Sequence, residues 1–253
     1  IAEMAAGNIT SEALTKACLD RIEEREETVQ AWAYLDPEHA LAQARECDRQ
    51  RAAGVEVGSL HGVPVALKDI FDTCDMPTEN GSRLFKGRRP VVDSFVAQLL
   101  RQAGAVIIGK SVSTEIAMIT PSKTRNPHDP ERTPGGSSSG SCASVGDRMV
   151  PMALGSQTSG STLRPASFCG IYGYKPTFGS ISCVGVSAIS RKLDHVGPLA
   201  RSLEDLALLS DALMVYDPRD QEMRGNPNFN LGNAVARPLD GAPRIGFART
   251  PAW

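Results

Sequence analysis

Two serine- and glycine-rich runs hold the residues best suited to covalent chemistry. Residues 135–141 read GGSSSGS and residues 155–161 read GSQTSGS. Such residues bury little apolar surface, but they let a backbone turn sharply and bring N–H groups close to a ligand. A serine hydroxyl there becomes a nucleophile once a base takes its proton. Upstream, Lys68 lies in VPVALKDIF, between two apolar runs. Burial in such a setting disfavours the cation and makes a lysine available as that base. Against this stand the commoner fates of these residue types, a solvated lysine and hydroxyls that cap turns.

Two short patterns compete for the same region. Residues 104–111, GAVIIGKS, match the phosphate-loop pattern GxxxxGK[ST] and would make Lys110 a nucleotide ligand. That motif needs a loop in its middle, whereas Ala-Val-Ile-Ile suits a strand. Residues 136–140, GSSSG, match the α/β-hydrolase pattern GxSxG with Ser138 as nucleophile. That elbow needs a preceding strand and a separate acid and histidine. Residues 130–135 make a poor strand, and the later histidine, His195, directly follows Asp194.

A larger set of blocks carries more weight. GVPVALKDIF (62–71), GGSSSGS, GSQTSGSTLRPASFCGIYGYKPT (155–177) and LDHVGPLARSLEDLALL (193–209) occur in that order. Together they resemble the amidase signature family over about residues 59–214. The resemblance implies a Ser-Ser-Lys triad. Lys68 would be the base, Ser137 the relay and Ser161 the nucleophile, with a cis peptide bond at Gly136–Ser137. The backbone N–H groups of Thr158, Ser159, Gly160 and Ser161 would form the oxyanion hole. The implied reaction hydrolyses a small-molecule carboxamide to an acid and ammonia through an acyl-enzyme, with no cofactor and no metal. Homodimers are common in the family.

Details narrow and complicate that expectation. Arg164 and Gln157 resemble malonamidase-like members, in which the matching arginine binds a substrate carboxylate, a task suited to bidentate pairing. A structural arginine tying the loop down is the competing role. Ser159 stands where the family has glycine, which would disturb the oxyanion loop if that position needs positive φ. Ser139 also replaces a common glycine. Other readings are the amidase subunit of a tRNA-dependent amidotransferase and a non-catalytic family member.

The elements that must position these residues follow from periodicity and punctuation. Residues 11–27 read as an amphipathic helix capped by Thr10 or Ser11, and a second helix opens at Asp36-Pro37 and ends at Gly54. A strand at 63–67 delivers Lys68. Asp93 is the expected cap of a helix reaching Ala103, ended by Gly104, and 105–108 is a buried strand. Residues 121–136 read as a long loop, 162–169 as a short helix with Pro165 in its first turn, and Ser202 with Asp205 as the cap of a helix to Met214. Alternating helices and strands predict an α/β fold, a mixed β-sheet covered by helices. Residues 1–58 form its N-terminal helical scaffold and 59–253 its core. A strand expected at 244–248, just before the sequence stops, predicts a fold that lacks its C-terminal portion. Ile1 in place of Met suggests a trimmed N-terminus.

Bulk properties exclude several classes. The 253 residues are 41% hydrophobic and 22% charged, with a net charge of −2, which gives no case for a nucleic acid or anionic membrane partner. No apolar run reaches the roughly 18 residues of a membrane span, and no signal peptide is visible. The six cysteines are dispersed without a CxxC pair, the usage of a reducing compartment and hence a cytoplasmic location. His39, His61, His128 and His195 lack metal-ligand spacing.

Overall fold

The computed structural model describes residues 1–223, 225 and 230–249. Strands β1 (Trp32–Leu35), β2 (Pro64–Lys68), β3 (Val106–Ser111), β4 (Met152–Gln157), β5 (Tyr172–Gly173) and β6 (His195–Ala200) form one sheet in the order β1-β3-β2-β4-β6-β5. The three central strands β3, β2 and β4 run parallel, and β1, β6 and β5 pair antiparallel outside them. This is the mixed sheet expected from the sequence.

Alternation along the strands divides the core into two layers. Val65, Leu67, Ile107, Met152 and Leu154 pack with α4 (Phe95–Gln102) and α7 (Leu203–Leu213) on one face. Ala66, Val106, Ile108 and Ala153 pack on the other face with α2 (Ser11–Val29), α3 (Pro37–Ala52), α5 (Ser139–Gly146) and α6 (Leu163–Phe168). Strands buried on both faces read as continuous apolar runs, which is why β2 and β3 are visible in sequence. The crossover from β2 to β3 uses α4 on the first face, and that from β3 to β4 uses α5 on the second. Because β3 and β4 flank β2 on opposite sides, the order of strands reverses at β2. In open α/β sheets a ligand crevice forms outside the carboxyl ends of the strands at such a point. Lys68 closes β2 at that end and Gln157 closes β4.

Local signals account for the helix ends. Thr10 accepts from the Ala13 N–H, Asp36 from the His39 N–H with Pro37 in the first turn, and Ser202 from the Asp205 N–H. The cap of α4 is a correction: Ser94 holds that position. The Asp93 carboxylate instead accepts from the Cys74 N–H and from Arg101. Residues 244–248 form no strand; Ile245 in that stretch is largely exposed. Positions 224, 226–229 and 250–253 of the expected C-terminal tail lie outside the described residues. Residues 1–58 are not purely helical, since they supply the edge strand β1. Two further helices, α1 (Ala2–Ala5) and α8 (Leu231–Ala236), flank the chain.

Helix α5 is absent from the sequence reading because SGSCASVG has weak helix propensity. Tertiary packing holds it instead: seven of its eight residues are buried, and the Gly140 N–H donates to the Val112 carbonyl at 2.9 Å. A Cβ at Gly140 would stand 2.2 Å from the Ala31 carbonyl oxygen and 2.4 Å from the Val112 nitrogen. Both neighbours are backbone and cannot swing aside. Gly140→Ala is therefore expected to destabilise the fold by about 2 kcal/mol or more, read as a lowered midpoint in thermal or urea unfolding. An unchanged midpoint would contradict this account of α5.

Candidate active site

Lys68 is completely buried. The pleat turns it to the face of Ala66, toward α5, and its Nζ donates to the Ser137 hydroxyl at 2.8 Å and to the Ser156 hydroxyl at 2.8 Å. Burial pushes its pKa down to about 7, against a smaller opposing influence from the Asp194 carboxylate. The neighbouring Cys142 thiol is itself held protonated by burial and supplies no counter-charge. With two hydroxyl acceptors and, among the described residues, no carboxylate in contact, the lysine has little to stabilise its cation.

Ser137 sits where two elements converge. Its carbonyl accepts from the Thr114 N–H at 3.1 Å beyond β3, and the Gly136–Ser137 bond before it is cis. Arg164 Nη2 donates to the Gly136 carbonyl at 2.6 Å, so the guanidinium braces the peptide that carries Ser137. Ser161 is buried, and its carbonyl accepts from the Ser138 N–H at 3.3 Å. That bond sets the two serine loops side by side.

Ser138 stitches the loops from within. Its hydroxyl donates to the Ser156 carbonyl and accepts from the Ser156 N–H, each at 3.1 Å. Gln157 Oε1 accepts from the N–H groups of Thr162 and Leu163 at 2.9 and 3.0 Å, capping α6 directly after Ser161. Between these anchors, the N–H groups of Thr158, Ser159, Gly160 and Ser161 donate to no acceptor among the described residues. Ser159 is exposed and does not take positive φ, so its departure from the family pattern carries no backbone strain. Ser139 donates to the Gly135 carbonyl at 2.8 Å.

The rival motifs find no such convergence. Gly109, Lys110 and Ser111 lie within β3, and Lys110 Nζ donates to the Phe71 carbonyl and the Thr78 hydroxyl, each at 2.7 Å. No strand leads directly into Ser138: residues 130–137 hold none. His195 contacts the Leu193 carbonyl and Lys175, while the Asp194 carboxylate faces Thr158. All six cysteines are free thiols. Among the described residues, Cys74, Asp75 and Asp93 are the group whose ligand atoms stand close enough to share a metal ion. Arg101 already pairs with both carboxylates, which places a positive charge where a cation would sit. Also among the described residues, no helix is long and apolar enough to cross a membrane.

Sequence reasoning missed Ser156. Its position, five residues before Ser161 at the end of a strand, makes it the second hydroxyl on Lys68. Nothing in its residue type distinguishes it from its neighbours; only the pairing of β4 beside β2 could have singled it out.

Comparison with known proteins identifies the family of the chain. Residues 13–253 match the Amidase family. A component of the glutamyl-tRNA(Gln) amidotransferase of Chloroflexus aurantiacus is 45% identical over 254 residues, which cover 98% of this chain and 52% of that protein. The same amidotransferase component from other organisms, Thermobifida fusca among them, is 41–45% identical. A chain of a vestigial protein complex that reveals the evolutionary origins of an s-triazine catabolic enzyme superposes with a TM-score of 0.91 at 35% identity, over 95% of this chain and 54% of that one. The peptide amidase of Stenotrophomonas maltophilia superposes with a TM-score of 0.86 at 35% identity, over 93% and 51%. The chain thus spans about half the length of the proteins it matches. With its sheet, its serine loops and this match over nearly its whole length, the chain belongs to the amidase family.

Proposed function

We propose that this chain carries the reacting groups of an amide-cleaving enzyme, with Lys68 as base, Ser137 as relay and Ser161 as nucleophile. The observation that carries the reading is Lys68 itself, wholly buried, with Nζ 2.8 Å from the Ser137 hydroxyl and a pKa of about 7. A lysine in that state is neutral for much of the time near neutral pH, so it can accept a proton.

The reaction then runs in two halves. Ser161 Oγ attacks the carboxamide carbon as its proton passes to Ser137 and the Ser137 proton passes to Lys68. The N–H groups of Thr158, Ser159, Gly160 and Ser161 donate to the oxyanion, each such donor contributing on the order of 3 kcal/mol to the transition state. Collapse of the tetrahedral adduct breaks the C–N bond, and the proton returns through Ser137 to the departing nitrogen, releasing ammonia. Water attacks the acyl-enzyme by the same relay and frees the acid. Ser156 steadies Lys68 throughout as its second acceptor.

Two versions of this chemistry differ in the fate of ammonia. In the first the enzyme is a free hydrolase of a small amide. In the second it is the amide-cleaving component of a tRNA-dependent amidotransferase, which hands ammonia to partner subunits. The shared description of the curated relatives at 41–45% identity favours the second. A malonamidase-like preference for carboxylate-bearing amides draws less support, because Arg164 is engaged with the Gly136 carbonyl. A cytoplasmic location and a homodimer remain part of the free-hydrolase version. Ammonia release by the full-length protein alone separates the two: efficient turnover of simple amides supports the hydrolase, and turnover dependent on partner subunits supports the amidotransferase.

In the full-length protein, Lys68→Ala and Ser161→Ala should each lower amide cleavage by at least about 10³-fold, and Ser161→Ala should do so while keeping the parental unfolding midpoint. Wild-type turnover in Ser161→Ala would overturn the mechanism. Because Lys68 must be neutral, activity should fall as pH drops through about 7 and level off above it; a flat profile to pH 5 would contradict a lysine base. Arg164→Ala should reduce kcat/KM by a similar factor for neutral and carboxylated amides. A loss confined to carboxylated amides would restore the substrate-binding role.

A further inference from the structure

Asp194 takes no part in the proton relay, yet its carboxylate is fully engaged beside it. The Thr158 hydroxyl donates to Asp194 Oδ1 at 2.5 Å. Oδ2 accepts from the N–H groups of Ile189 and Ser190 at 2.8 and 2.9 Å. The Asp194 N–H returns to the Ser190 carbonyl at 2.9 Å, so the acid and the turn at 190–194 close on each other. The next residue, His195, opens β6 opposite Gln157, the last residue of β4. The carboxylate therefore ties the first residue beyond β4 to a turn anchored at the neighbouring strand.

That tie acts on the stretch whose N–H groups point at no acceptor among the described residues. Gln157 caps the far end of the loop at Thr162 and Leu163. Among the described residues, the Thr158–Asp194 bond is the one side-chain hydrogen bond that residues 158–161 make. We propose that Asp194 is a positioning residue: acting through the Thr158 hydroxyl, it fixes the direction of the 158–161 backbone N–H groups toward the developing oxyanion. This rests on the reading of Ser161 as nucleophile. A donor array lowers the barrier only if it is oriented before charge develops. Loosening it should slow the chemical step and leave the preceding binding step nearly unchanged.

The test uses the full-length protein and an alkyl fluorophosphonate, which phosphonylates a reactive serine with loss of fluoride and develops charge on its phosphoryl oxygen. Saturation kinetics of labelling separate the maximal rate from the half-saturating concentration. Thr158→Val deletes the hydroxyl and keeps the shape and the backbone N–H; it should lower the maximal rate about tenfold or more, with half-saturation within about twofold. Thr158→Ser keeps the hydroxyl and should stay within about threefold of wild type. Asp194→Asn combined with Thr158→Val should be no slower than the slower single variant, because both remove one connection. Wild-type labelling by Thr158→Val, failure of serine to preserve the rate, or effects that multiply in the double variant would each overturn the proposal. Ser161→Ala distinguishes the two levels of the argument. If it labels normally, the nucleophile reading fails and this proposal with it; if it does not label while Thr158→Val labels at the wild-type rate, only the role of Asp194 fails.

Discussion

The burial of one lysine with no carboxylate in contact among the described residues is the constraint on which the site depends. Transferring an ammonium group out of water is costly, and the cost is relieved either by pairing it or by removing its proton. Lys68 has two hydroxyls and no acidic contact, so removal of the proton is the cheaper course. Lys110, one strand away, is also buried, and burial lowers its pKa to about 8 against the opposing influence of Asp69, Asp72 and Asp75; its Nζ donates to the Phe71 carbonyl and the Thr78 hydroxyl. Pairing of β2 with β3 sets Lys110 beside Leu67 and Ser111 beside Lys68. The two lysines therefore point to opposite faces of the sheet, and only Lys68 reaches the serine loops.

The loops in turn are held by polar groups spent on backbone. Ser138 bonds both the N–H and the carbonyl of Ser156, Gln157 caps α6, and Arg164 braces Gly136. These side chains hold the loops that carry Ser137 and Ser161 side by side while leaving the N–H groups of residues 158–161 without acceptors among the described residues. Within this cluster of serines, the Ser138 and Ser139 hydroxyls are engaged with backbone, whereas the Ser137 hydroxyl meets Lys68.

Much of this was legible in the sequence, for reasons that differ by element. The apolar flanks of Lys68 signalled its burial, and the ordered blocks around Ser137 and Ser161 identified the loops. Caps such as Thr10, Asp36 and Ser202 marked helix starts through their own side-chain chemistry. Other features had no local signal. Helix α5 is rich in Ser and Gly and is imposed by packing; β5 has only two residues; β1 is fixed by pairing with β3, far along the chain. The N-cap position of α4 falls on Ser94, whose hydroxyl makes no cap bond, while the Asp93 carboxylate pairs with Arg101, a tertiary contact. Ser156 and the side-chain bond from Thr158 to Asp194 likewise appear only once β4 and β6 lie beside each other.

The chain spans about half the length of its relatives, yet the lysine and both serine loops lie within it. The proposed relay requires Lys68 to be neutral near physiological pH. The most direct measurement is an NMR titration of the lysine side-chain nitrogens in the full-length protein, with Lys68→Met used to assign the signal. The account predicts a midpoint for Lys68 at about 7. A midpoint above about 10, that of an ordinary solvated lysine, would contradict it.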